Sequence, residues 1–426
     1  MEKNRNVSSG GVGYFDLVRN NFNFRNLWIG QIISLLGDWF NLIASASLIA
    51  TLTQSGLAIG GLFVVRMLAP FLVSPIAGVM IDRYDRKNLL IISDIARGIT
   101  VLGFLFVRSP EQVWILYVLS AVQMGFSGFF FPARNAILPD IVSPQALGTA
   151  NTLSTSTWSV MLALGAALGG AAASQWGIYP SFVIDGFTFF LSAWFVYRLK
   201  IPVDRDTESI NQGIREALEE YLYGLRYLLS HREVFAVSLL KSVMGFSISG
   251  AFQVIQIKLA EQVYIIGEGG RIGLGWMYAV VGIGTGLGPI IARKITGDHD
   301  RKMRIAIGAA YFISALGLIV IAQFISFEWV LLGSLLRGLG AGINWVFSTQ
   351  LIFSMIPNHV RGRVFSTEFA MLTLMNATAA TIGGWGIDQP NLGMQKMLYS
   401  MAGLVIFFGI LWFLWIKKSI NIQQEQ

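Results

Sequence analysis

Gly78-Val79-Met80-Ile81-Asp82-Arg83-Tyr84-Asp85-Arg86-Lys87 is the most informative stretch of this chain. It sits between two long apolar runs, and it fits the pattern G-x-x-x-D-R-x-x-R-[RK] at every fixed position. A glycine at its start permits close packing where two helices meet a short loop. Arg83, Arg86 and Lys87 are what a loop on the basic side of a membrane would carry. Topology alone, however, needs neither Gly78 nor Asp82. The surplus points to a second task, in which Asp82 and Arg83 pair with groups on neighbouring helices.

The composition supplies the membrane. Of 426 residues 54% are hydrophobic and 13% charged, with mean hydropathy +0.60. Soluble chains carry roughly a quarter charged residues. A span needs about 20 mostly apolar residues, and twelve such runs can be read, near 27–52, 57–81, 88–107, 112–133, 146–173, 178–199, 234–257, 272–292, 305–323, 328–350, 364–386 and 396–416. Backbone groups in lipid must pair within the chain, so the runs are expected to be helices. The expected fold is an all-α integral membrane protein of twelve transmembrane helices in two six-helix halves.

The organisation follows from the interruptions. Residues 1–26 read as a polar tail, 27–199 as an N-terminal six-helix bundle, 200–233 as a linker, 234–417 as a C-terminal bundle and 418–426 as a second tail. In the linker Ile210, Ile214, Leu218, Tyr221, Leu225 and Leu228 recur at helical spacing among charges. This is either an amphipathic helix on the membrane surface or a solvated linker helix. The halves echo each other: Asp85-Arg86-Lys87 returns as Asp300-Arg301-Lys302, and Ile137-Leu138-Pro139 as Met355-Ile356-Pro357. In the second copy of the opening motif Gly297 stands for its Asp and Asp298 for its first Arg.

Twenty-three of the 31 Lys and Arg residues fall in loops on the side that holds both termini. By the positive-inside rule both termini are expected in the cytoplasm of a multi-pass cell inner-membrane protein. The net charge of +7 belongs to these loops, and no nucleic-acid partner is expected. The absence of cysteine excludes disulfides, Cys-based metal sites and thiol catalysis. His231, His299 and His359 make no ligand spacing, so no metal site is expected. The chain has no G-x-x-x-x-G-K-[ST] phosphate loop and no nucleophile motif, so neither an ATPase nor another enzyme is expected, and no cofactor.

The loop motif, together with the twelve runs in two halves, resembles the major facilitator superfamily, in which this loop joins the second and third spans. The resemblance covers nearly the whole chain. It implies a secondary transporter that works by alternating access, with the loop as a conformational gate: Gly78, Asp82, Arg83, Arg86, Lys87, and Arg134 as a partner for Asp82. Asn26-Leu27-Trp28, Gly37-Asp38, the stretch from Arg134 to Val142, Ala150-Asn151 and Arg361-Gly362-Arg363-Val364 are similar to the bacterial efflux branch that includes macrolide and siderophore exporters. Gly165-Ala166-Ala167-Leu168-Gly169-Gly170 resembles the core of the antiporter motif, departing at Ala166 where the motif has Pro. Gly165, Gly169 and Gly170 would permit close helix approach.

Ionisable residues deep in apolar spans are costly and usually functional. Asp38 is the only charge in its run; Arg66 is alone in the second, and Asp94 and Arg97 lie one turn apart in the third. Asp38 either carries the coupling proton or forms a structural pair with Arg66 or Arg97. Lys241 and Arg337 are candidates for the central cavity, with Trp39, Trp158 and Trp345, although such aromatics also pack between helices. Glu368 is expected to pair locally with Arg361 and Arg363, and Asp185, in one half of the sixth span, ranks below the others. The expected function is proton-driven efflux of a hydrophobic or amphipathic small molecule by a monomer. An importer or lysophospholipid flippase of the same fold is the alternative, and a non-transporting sensor or enzyme is the alternative from another class.

The orientation is testable on a cysteine-free background. Single cysteines at Ser209 and Ser419 should resist an impermeant thiol reagent in intact cells and react after lysis; labelling of either from outside would overturn the assignment.

Overall fold

The computed structural model of the protein describes residues 13–201, 214–297, 299–357 and 360–424. Fifteen α-helices follow one another among the described residues, with no strand. The N-terminal half contains α1 (Tyr14–Asn20), α2 (Phe22–Thr53), α3 (Gly56–Arg83), α4 (Arg86–Leu102), α5 (Val113–Ile141), α6 (Leu147–Gln175) and α7 (Ile178–Tyr197). After α8 (Ile214–Ser230) come α9 (Arg232–Met244), α10 (Gly250–Lys258), α11 (Arg271–Thr296), α12 (Asp300–Ala322), α13 (Phe327–Met355), α14 (Arg361–Asp388) and α15 (Gly393–Gln424).

Eleven of the described helical segments are long and apolar enough to cross a membrane. α9 and α10 form one of them, joined by a π-helical turn at Gly245–Ser249 and followed by another at Leu259–Val263. The twelfth long helix is α14. It buries Thr367, Glu368, Thr373 and Asn376, so it is less apolar than the others. Helix starts are set by local chemistry. Asn21 Oδ1 accepts from Phe24 N at 2.8 Å, Ser55 Oγ from Ala58 N at 3.3 Å, and Asp85 Oδ1 from Asn88 N at 2.8 Å, the capping that these residue types favour. The Asn21 cap starts the first long helix at Phe22, inside the stretch read as a tail. The last helix likewise continues past 417 to Gln424.

The halves touch chiefly through two helix pairs, α3 with α14 and α6 with α11, with smaller contacts of α10 on α2 and α3 and of α11 on α2. Glycine makes both contacts close: a Cβ on Gly60 would lie 2.7 Å from Ala380 O, and one on Gly170 would lie 3.0 Å from Gly275 Cα. These approaches, and the hydrogen bonds that Asp388, Lys258, Arg271 and Glu268 make to the opposite half, lie away from the side where α2 begins and α15 ends. On that far side buried apolar side chains of both halves form one continuous cluster. On the termini side the N-terminal half keeps a separate cluster, with Phe24, Leu27, Ala77, Leu90, Phe130 and Ile137 among its members. The molecule is therefore closed at the far end and parted toward the termini, with α8 packed against α3 and α14. α8 buries Gly224 and Leu228 and exposes Tyr223, Arg226 and Leu229, so one face of the linker helix lies on the bundle.

Candidate functional site

Among the described residues eight charged side chains stand deep in the bundle. Five are in the N-terminal half: Asp38 (α2), Arg66 (α3), Asp94 and Arg97 (α4) and Asp185 (α7). Arg97 and Asp94 form a tight ion pair, both side chains 1% exposed or less. Asp94 Oδ2 also accepts from Ser192 Oγ at 2.7 Å, and the Arg97 guanidinium lies 4.3 Å from the ring centres of both Phe130 and Phe189. Asp38 Oδ2 is 4.0 Å from Arg97 Nη1, and its Oδ1 is buried with no partner. Arg66 reaches Asn41 Oδ1 at 3.4 Å and no carboxylate within 4.0 Å. Of the two pairings open to Asp38, the structure places it beside Arg97, which Asp94 already neutralises.

Asp185 is fully buried and has no ion-pair partner among the described residues; Thr188 Oγ1 is 3.4 Å from its Oδ1, and Oδ2 has no partner. It packs directly on Gly37, where a Cβ would collide with it. Asp185 thus stands one residue from Asp38 across the α2–α7 contact and belongs to the cluster. The sequence ranked it low because position along a span does not tell which way a side chain faces.

The C-terminal half holds Lys241 (α9), Arg337 (α13) and Glu368 (α14). Lys241 Nζ donates to Glu368 Oε2 at 2.9 Å, with both side chains 5% exposed or less, and lies 4.9 Å from the Trp345 ring centre. α14 packs on α9 at this depth and brings Lys241 to Glu368, a partner that the sequence did not offer beside Arg361 and Arg363. The side chains of Arg361 and Arg363 lie outside the described residues. Arg337 is 6% exposed and stacks at 3.9 Å on the Phe252 ring. No carboxylate lies within ion-pairing distance of it among the described residues. Between the halves, Tyr278 of α11 meets Trp39 edge-on at 5.2 Å and stands within electrostatic reach of Arg66 and Arg337. Trp39 in turn packs against Gly165, and Gly169 against its carbonyl, while Gly170 faces α11. Trp158 and Trp345 are half exposed.

The members of the opening loop do different things. The side chains of Gly78, Asp82 and Arg83 lie outside the described residues. Arg86 donates to Ala136 O at 2.8 Å and pairs with Asp140 at 3.0 Å, and Lys87 donates to Leu199 O at 2.8 Å. Arg134 bonds Gln31 Oε1, and Ser154 Oγ at 2.7 Å. All of these bonds stay within the N-terminal half.

A second set of contacts, which the sequence analysis missed, closes the far end. Asp388, ending α14, accepts from Gly56 N at 2.7 Å and from Leu57 N and Ser55 Oγ at 2.9 Å, capping α3 of the opposite half. Carboxylates are favoured at helix N-termini. Lys258 Nζ bonds Gln54 O; Arg271 Nη1 donates to Ala173 O at 2.8 Å, and Glu268 N to Ser174 Oγ at 2.8 Å. Ser55 before an apolar run was readable as a cap; its partner 333 residues away was not.

The profile described as Major Facilitator Superfamily matches residues 27–367. The chain is 28% identical over 410 residues to the uncharacterized MFS-type transporter YfiS of Bacillus subtilis (strain 168), covering 93% of each. It is 25% identical over 361 residues to the putative bacilysin exporter BacE of the same organism, covering 83% of this chain and 85% of that one. Its fold resembles the nucleoside transporter NupG, with TM-score 0.71 and 13% identity, over 92% of this chain and 98% of that one.

Asp388→Ala removes three bonds across the far end while leaving each half intact. It should favour opening there about tenfold, or about 1.4 kcal/mol, the worth of one or two net hydrogen bonds. Spin labels at Leu57 and Ile387 would read the distance; an unchanged distribution would show that the glycine packing alone closes this end.

Proposed function

The chain belongs to the Major Facilitator Superfamily and is a multi-pass membrane transporter, not an enzyme, and we propose that it exports a hydrophobic or amphipathic small molecule in exchange for protons. The observation that carries this reading is the charge balance of the N-terminal cluster. Three carboxylates, Asp38, Asp94 and Asp185, face two guanidiniums, Arg66 and Arg97. Charge in a low-dielectric interior is costly unless compensated, and one proton on Asp38 or Asp185 neutralises the cluster. A proton held there in one conformation and lost in the other couples the gradient to the change of access.

Export is supported by the similarity to a putative bacilysin exporter, and the basic bias of the loops favours a cytoplasmic position for both termini. On that orientation the parted side is cytoplasmic and the Asp388 contacts form the outer gate. The conformation described is then the one that loads substrate from within. Closing the cytoplasmic side would bring the Gly78–Lys87 loop and Arg134 toward the opposite half, with Asp82 and Arg83 as the gate. The transporter works as a monomer, since each copy contains both halves of the path.

The test is proton flux on substrate addition in proteoliposomes. Asp38→Asn should abolish gradient-driven accumulation yet leave substrate binding measurable; wild-type stoichiometry in this variant would make Asp38 structural. Asp82→Asn should slow transport without changing stoichiometry, and an unaltered rate would exclude the loop as a gate. Accumulation along the proton gradient rather than against it would instead identify an importer.

A further inference from the structure

The charges left over in the two halves are of opposite sign. The N-terminal cluster has one carboxylate too many. In the C-terminal half the buried Lys241–Glu368 pair is internally neutral, which leaves Arg337 as a cation without an acid among the described residues. The two poles meet across the interface. Asp38 is followed by Trp39, whose ring touches Tyr278 at 5.2 Å, and Tyr278 is within electrostatic reach of Arg337.

Near these charges several buried polar atoms lack partners: Asp38 Oδ1, Asn41 Nδ2 and Asp185 Oδ2 on one side, and Gln256 Oε1, Tyr278 Oη and Arg337 Nε on the other. Asn41 stands near Asp185, and Gln256 near Tyr278, yet none of the six atoms makes a bond of hydrogen-bond geometry. Asn41, Gln256, Tyr278, Arg337 and Asp185 are each more than nine-tenths buried. Buried polar groups are almost always satisfied. Six unsatisfied atoms from both halves are partners that a polar ligand can take.

We propose that the transported molecule is zwitterionic, of the amino-acid or short-peptide class, with its ammonium group on Asp38 and Asp185 and its carboxylate on Arg337 beside Tyr278. The guanidinium fork matches a carboxylate in two parallel bonds, and the Tyr278 hydroxyl supplies another donor. Trp39, Phe252 and the Gly165 surface offer an apolar flank to a hydrophobic side chain. The arrangement also explains exchange. The ammonium and the proton compete for the same surplus negative charge, so substrate arrival expels a proton from the N-terminal cluster. The carboxylate end takes no part in that competition.

The proposal rests on the exporter reading above for its competition step, but the ligand's polarity can be tested apart from any gradient. Detergent-solubilised wild type would be titrated, at fixed pH, with phenylalanyl-leucine, its C-terminal amide, its N-acetyl derivative and lysophosphatidylglycerol, with tryptophan fluorescence as the readout. The free dipeptide should bind at least about tenfold more tightly than either blocked form, since each blocked form loses one charged contact. In Arg337→Gln the dipeptide and its amide should bind within about twofold of each other, while Arg337→Lys should keep the preference. Ligand-free unfolding temperature and gel-filtration profile of each variant would confirm that it folds.

Equal binding of dipeptide and amide by the wild type would replace the zwitterion site with a site for cations. Preference for the lysophospholipid, or binding of none of the four, would also overturn the proposal. Persistence of the preference in Arg337→Gln would remove Arg337 from the site. None of these outcomes depends on proton coupling, and loss of coupling in Asp38→Asn of a protein that shows no carboxylate preference would leave the exporter reading standing by itself.

Discussion

A charge held in the middle of a bilayer must be compensated, by a partner, by a proton or by a ligand, and the interior of this protein is organised by how each of its eight central charges meets that demand. Two demands are met permanently. Asp94 with Arg97, and Lys241 with Glu368, are closed pairs buried within single halves. Removing one partner of such a pair costs several kcal/mol because it strands the other. They fix α4 against α7, through Ser192, and α9 against α14. They are the rigid parts of each half, and a rigid half is what a rocking mechanism needs.

The other four charges have no such closure. Asp38 and Asp185 crowd together at Gly37, Arg66 reaches only an amide oxygen, and Arg337 leans on an aromatic face. Cation–π contact is worth up to about 2 kcal/mol when desolvated, which tempers the burial of Arg337 without neutralising it. Unclosed charges respond to whatever enters the cleft. The division between closed and unclosed charges coincides with the division between scaffold and working site.

How much of this the sequence reveals depends on the range of each interaction. The helices, their caps at Ser55 and Asp85, the division into halves and the Asp94–Arg97 pair are local, within four residues or one apolar run, and the sequence carries them directly. Lys241 and Glu368 are 127 residues apart, and Arg134 and Gln31 are 103 apart. Those pairings are decided by which faces of two helices happen to meet. Asp185 shows the same limit: its depth was legible but its direction was not. The number of central charges could be counted beforehand, whereas the separation of their surplus into opposite halves required the packing.

The closed end completes the argument. Its polar contacts are of two kinds: Asp388 caps the first turn of α3 near the surface, where water can replace its bonds, while the buried Lys258 and Arg271 donate to the carbonyls of Gln54 and Ala173. The glycine approaches beneath them, Gly60 on Ala380 and Gly170 on Gly275, bring backbone to backbone. Far more would be lost by opening the Lys241–Glu368 pair, and that pair never spans the two halves. A structure that confines its buried ion pairs to single halves can let a change of one charge at the centre decide which end is open.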